Sequence, residues 1–199
     1  MPAGLAWDGL NLYMVARGSG ALFRVNRSNA AATRITNTED FGVNEGDPEG
    51  LTWDGTNLYM VGQSADALHT LDRTTGVATR VGSANRFGVN EGFPSGLAWD
   101  GTNLYMVGTG TAALHTLDRT TGVATRVGTA TRFGVNEFNP SGLAWDGTNL
   151  YMVGKSADAL YTLNRTTGVA TRVGTSTQFG VRELDPSGLA WAPSPPMPS

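Results

Sequence analysis

The apolar positions of this chain fall in short runs separated by glycine-bearing polar turns, and the whole arrangement repeats every 46 residues. Within residues 48–93 the first run, 50–53, ends at Asp54-Gly55, a pair that tolerates the positive φ of a tight hairpin. The second run, Leu58-Tyr59-Met60-Val61, is apolar at every position, as in a strand covered on both faces of its sheet. A third, 67–71, stops at the polar loop Asp72-Arg73-Thr74-Thr75-Gly76, and a fourth, 77–81, alternates apolar with polar residues as an outer strand does. The pattern predicts four short strands per unit, joined as an antiparallel meander, and no helix of consequence.

A marker segment recurs at constant spacing as Pro2-Ala3-Gly4-Leu5-Ala6-Trp7 and again from Pro48, Pro94, Pro140 and Pro186. It divides the chain into units 2–47, 48–93, 94–139 and 140–185, of which the second and third match at about 36 of 46 positions. The first has drifted most, with Asn29-Ala30-Ala31 where the others carry Thr-Gly-Val. A meander that is apolar on both faces cannot cover itself, whereas identical meanders stacked about an axis cover one another. The fold class is therefore all-β: a β-propeller over residues 1–191, built from four near-identical four-stranded blades plus an extra C-terminal strand, 186–191. A prism-like lectin fold of similar repeats is the rival. Residues 192–199, with Pro193, Pro195, Pro196 and Pro198, form a proline-rich tail. The favoured assembly is a closed four-bladed monomer in which the extra strand and residues 4–7 compete for, or share, the closing position. The alternative is a homodimer completing a larger ring.

The pattern Pro-x-Gly-Leu-Ala-x-Asp-Gly-x-Asn-Leu-Tyr, as at Pro94 to Tyr105, resembles the blades of NHL-type and related bacterial propellers. The resemblance covers residues 2–185 and implies a blade, not a substrate, because propellers of this broad kind include protein-binding, sugar-binding and enzymatic members. Trp53-Asp54 closes the first strand here, which separates the repeat from WD40 blades. The repeat length is similar to that of five-bladed tachylectin-type lectins, but no sugar-contact residue of theirs carries over.

With 14 basic and 17 acidic residues and a net charge of -3, the chain offers no basic surface for nucleic acid. No apolar run is long enough for membrane insertion as a helix, and the first residues lack the layout of a secretion signal. An extracellular setting, as part of a longer exported protein, stays open; the acceptor triplets Asn26-Arg27-Ser28 and Asn164-Arg165-Thr166 matter in that setting. The absence of cysteine excludes disulfides and thiolate metal sites.

The candidate ligand-binding residues lie in a loop that leads from each outer strand to the next inner one: Phe41, Asn44 and Glu45; Phe87, Asn90 and Glu91; Phe133, Asn136 and Glu137; and Phe179 and Glu183. An amide and a carboxylate beside an aromatic ring suit sugar hydroxyls, and repetition would give several weak equivalent sites with avidity for multivalent glycans. The competing reading has the phenylalanine plugging the gap between blades while asparagine and glutamate satisfy backbone groups. Trp7, Trp53, Trp99, Trp145 and Trp191 read as packing residues, as do His69 and His115, which Phe23 and Tyr161 replace in the outer units. Arg73, Arg119 and Arg165 read as a solvated rim. No nucleophile elbow, phosphate loop or zinc-spaced histidine cluster is present, so no cofactor, metal or catalytic residue is assigned. The resulting expectation is a non-catalytic recognition module with glycans or another protein as partner. A structural or protein-binding scaffold without a small-molecule ligand is the alternative.

Overall fold

The computed structural model describes residues 1–36, 38–174 and 188–190. Each unit folds as one antiparallel four-stranded sheet whose spatial order follows the chain, giving four regularly spaced propeller blades. The first comprises β1 (Pro2–Trp7), β2 (Leu12–Ala16), β3 (Ala21–Val25) and β4 (Ala32–Arg34). The second holds β5 (Pro48–Trp53), β6 (Leu58–Gly62), β7 (Ala67–Leu71) and β8 (Ala78–Arg80). The third holds β9 (Pro94–Trp99), β10 (Leu104–Gly108), β11 (Ala113–Leu117) and β12 (Ala124–Arg126), and the fourth β13 (Pro140–Trp145), β14 (Leu150–Gly154), β15 (Ala159–Leu163) and β16 (Ala170–Arg172). Strand alternation sends Tyr59, Val61 and Leu68 of the second blade into one seam with Leu104, Met106, Leu117 and Ala124 of the third. Equivalent residues fill the first-to-second and third-to-fourth seams. Each fully buried leucine, methionine or valine there contributes about 1.5–3 kcal/mol.

Every inner strand opens with a proline, and the ladder slips by one residue beside it, as between Pro48↔Gly62 and Gly50↔Val61. A residue without an N–H is tolerated at such a bulge. The glycine two positions later has a different task. A Cβ on Gly50 would stand 2.8 Å from the Leu97 nitrogen, and one on Gly96 2.8 Å from the Leu143 nitrogen. Gly4 stands in the same relation to the inner strand of the second blade, its Cβ position 2.6 Å from the Glu49 oxygen.

Two further contacts continue the series. The Cβ position of Gly142 is 2.8 Å from the Leu189 nitrogen, and that of Gly188 is 3.1 Å from the Ala3 oxygen. The inner ring thus has five members: β1, β5, β9, β13 and residues 188–190. The extra segment neither competes with β1 nor shares its position, because inner strands at this spacing leave a fifth place around the axis. The five enclose an axial cavity of about 160 Å³ lined by Leu5, Leu51, Leu97, Leu143 and Leu189 with their neighbouring alanines and tryptophans. The rest of 186–191 and the tail lie outside the described residues.

Gly96→Ala should cost about 3 kcal/mol or more in denaturant unfolding, because backbone and not a flexible side chain occupies the space. Gly101→Ala should cost about 1 kcal/mol, since that hairpin glycine has φ 95° but nothing within 4 Å of its Cβ position. Equal costs would contradict the close-approach account.

Candidate functional site

The Phe-Gly-Val-Asn-Glu loops are built on a left-handed turn. Asp40, Phe41 and Gly42 have φ of 46°, 56° and 76°, and the same positions in the next two loops repeat these values within a few degrees. Left-handed backbone costs a non-glycine residue roughly 1–2 kcal/mol. Burial of the ring offsets this: Phe41, Phe87 and Phe133 are each 0% exposed. The asparagines Asn44, Asn90 and Asn136 also have positive φ, which that residue type accepts, and their side chains face solvent.

The glutamates are buried and engaged. Glu45 accepts hydrogen bonds from the N–H groups of Ser64 (3.2 Å) and Ala65 (2.9 Å), Glu91 from Gly110 (2.8 Å) and Thr111 (3.0 Å), and Glu137 from Ser156 (3.1 Å) and Ala157 (3.3 Å). Each carboxylate therefore clamps the turn between the second and third strands of the following blade. Space for it is made by Gly62, Gly108 and Gly154, where a Cβ would fall on the carboxyl group. Burial holds Glu91 above the usual carboxylate range, against the opposing pull of Thr111 and Gly110. Phe179 and Glu183 lie outside the described residues.

At the opposite end of the strands the Asp-Gly turns carry more than hairpin geometry. Asp54 accepts from Thr56 N–H at 2.8 Å and Asn57 N–H at 2.6 Å, while its other oxygen takes the guanidinium of Arg119 from the next blade. Asp8 pairs with Arg73 and Asp100 with Arg165 in the same way. Each arginine also lies over the tryptophan of its own blade, Arg73 4.2 Å from the Trp53 ring centre and Arg119 4.4 Å from Trp99. Arg73, Arg119 and Arg165 are thus latches between blades, not a solvated rim, and the tryptophans are half-buried beneath them. Burial would raise the three aspartates, but the backbone donors and the arginine outweigh it and hold them below the usual range.

His69 and His115 pack in the blade seams at 1% exposure. Burial, reinforced by the charges of Arg80 and Arg126, lowers their pKa to about 4. Both are therefore neutral packing groups near pH 7.

The two ends of the molecule differ in how faithfully they repeat. The second and third units differ at ten positions, and seven of these fall at one end: 49/95, 63/109, 64/110, 65/111, 66/112, 92/138 and 93/139. The turns and loops at the other end are identical in the two units. On the variable end Arg86 links Asp66 (3.6 Å) to Asn90 (3.2 Å), and the Asp66 carboxylate accepts the N–H of Phe93 at 3.1 Å. Phe93 is 58% exposed in left-handed backbone, φ 61°. In the next unit Arg132 donates to Asn136 at 3.0 Å and lies 5.9 Å from the ring centre of Phe138, itself 53% exposed. Nearer the axis, Glu49 replaces the serine or alanine of other units, pairs with Arg17 and accepts from Gln63 at 2.9 Å. Burial outweighs that pairing and raises Glu49 to about 7. It borders a cavity of about 340 Å³ with Ala3, Arg17, Ser141 and Lys155. Sequence reading missed this cluster, although departures from an otherwise copied repeat were the signal for it. Among the described residues no group of three or more histidines and carboxylates is placed to hold a metal ion.

No family model matches the chain, and no curated protein matches it. Solved structures do. A chain of the nidogen/laminin complex is similar over 95% of this chain and 84% of its own, with a TM-score of 0.58 and 15% identity. The PQQ-bound aldose sugar dehydrogenase of Streptomyces coelicolor is similar over the same shares, with a TM-score of 0.57 and 15% identity. A catalytically inactive virginiamycin B lyase from Staphylococcus aureus, in complex with quinupristin, matches 94% of this chain and 58% of its own, with a TM-score of 0.58 and 15% identity. The likeness is one of fold. Propellers of this shape include both enzymes and non-enzymes.

The histidines set a testable pH dependence. Unfolded imidazoles titrate near 6.5 and these near 4, so between those values the unfolded state binds more protons. Their contribution is full above about pH 6.5 and is lost as pH falls toward 4. Glu49 acts with the opposite sign, its contribution falling as pH rises from about 4.5 to 7. Replacing both histidines with tyrosine, the residue at Tyr161 of the fourth blade, should remove roughly 2–3 kcal/mol per site of acid sensitivity between pH 6.5 and 4. Urea unfolding at pH 7 and 4 measures the difference, and an unchanged dependence would refute it.

Proposed function

We propose that this chain is a non-catalytic recognition module that reads its ligand on the end of the propeller where the repeats differ. The observation that carries this is the concentration of seven of ten differences there. Residues that serve blade packing alone are copied from unit to unit; residues that meet different parts of one ligand need not be. Carbohydrate is the ligand class we favour. Phe93 and Phe138 offer exposed apolar rings, and Arg86 with Asn90 and Arg132 with Asn136 set fork donors and amides beside them. In this reading Asn44, Asn90 and Asn136 are the ligand-facing members of the loops. The phenylalanines and glutamates of the same loops act through the blades they hold. A protein partner on the same face is the alternative, favoured by the mixed charges of Arg17, Asp47, Glu49 and Lys155.

A glycan array probed with the unmodified chain at high density should retain it on a subset of sugars, since even weak sites gain from multivalent display. Phe93→Ala with Arg86→Ala should then reduce retention tenfold or more with little change in the melting transition. Glu91→Ala should do the reverse at first instance, costing about 3 kcal/mol of stability because it unpairs buried donors. A blank array would exclude carbohydrate, and loss of binding only in variants that unfold would exclude this face.

A further inference from the structure

The inner ring has five places, and four of them carry described blades. In each of these the inner strand pairs along its outer edge with a second strand, as Leu97 does with Met106. Residues 188–190 hold the fifth place. The blades on either side register the difference. Tyr59 and Leu68, like Tyr105 and Leu114, are buried against the blade that follows, whereas the equivalent Tyr151 and Leu160 of the fourth blade are half-buried. On the other flank Leu58, Met60 and Leu71 are buried against the blade that precedes, whereas Leu12, Met14 and Val25 of the first blade are half-buried. The latches are divided in the same way. Asp8, Asp54 and Asp100 each receive an arginine from the next blade, but Asp146 forms no ion pair among the described residues. Arg27 lies 4.5 Å over Trp7, as its counterparts lie over theirs, and likewise has no carboxylate among the described residues.

We propose that the fifth place is an acceptor for a three-stranded β-meander of this repeat's own kind. Such a meander would pair with 188–190, lay its leucine and methionine side against Tyr151 and Leu160, and lay its tyrosine and valine side against Leu12 and Met14. Its hairpin arginine would reach Asp146, and its turn aspartate would reach Arg27. The three seams within the chain are made of these same two faces, and the fifth place presents one of each, so its complement is specified by seams that already exist. A whole second copy does not meet the requirement, because its first blade brings its own inner strand to a place that 188–190 already fill. The first blade also has Ala16 where Gly62, Gly108 and Gly154 make room for a clamping glutamate, so the occupant needs no loop beyond its three strands.

The test uses the full chain and a synthetic peptide with the sequence of residues 146–173. Calorimetry should show one peptide bound per chain, with a raised melting temperature and less binding of an apolar dye. Asp146→Asn should weaken the complex several-fold, while Asp54→Asn, inside an occupied seam, should not. If the peptide proves insoluble, the same sequence fused after Trp191 in place of 192–199 gives the same readouts. A fused chain that melts and binds dye as the parent does, or a peptide that binds Asp146→Asn and parent equally, would overturn the proposal.

Discussion

The closeness of the inner strands is the constraint on which the rest of this molecule depends. Their glycines bring one backbone against the next at distances that leave no volume for a methyl group, and this sets how many strands surround the axis. Five places follow from that spacing, and the described residues form four blades. Everything farther from the axis, from the apolar seams to the clamps at either end, is arranged at the angle the inner ring imposes.

The blades are then held by two kinds of polar contact with opposite characters. At one end three aspartate–arginine latches join the four blades, each with a covered aspartate and an arginine that reaches solvent, and the set fixes the angle between blades. At the other end the glutamate clamp is buried, and removing one would strand backbone donors of the next blade. A left-handed turn delivers that glutamate, and the buried phenylalanine offsets the strain of the turn. Residues that look suited to a ligand in the linear sequence are thus spent on joining blades. The same loops nevertheless carry exposed asparagines, and two exposed phenylalanines stand nearby, where copying between units has relaxed.

Much of the fold was legible in the sequence because period and strand pattern are local. The third strand of the second unit is found at the predicted residues, and the other strands begin or end within two residues of expectation. What was not legible was long-range. Arg73 and Asp8 are 65 residues apart, and nothing local in either sequence neighbourhood announces the pairing. The fifth place was hidden for a related reason: the ring number depends on how closely backbones approach, which the glycines permit but do not count. In the loops, the competing ideas for phenylalanine and glutamate could be separated only by burial, since the same residue types serve a sugar or a seam. The relaxed positions at 49, 63 and 93 were readable from the repeat itself, by asking where the copies differ and not where they agree.

The five-membered inner ring is tested most directly by joining its first and fifth members. The chain has no cysteine, so Ala3→Cys with Ala190→Cys introduces the sole pair of thiols. A short bismaleimide should link them within one chain in high yield under native conditions, and the link should be lost when the chain is unfolded in urea before reagent is added. Absence of the native crosslink, or crosslinks formed only between chains, would contradict a ring that residues 188–190 close.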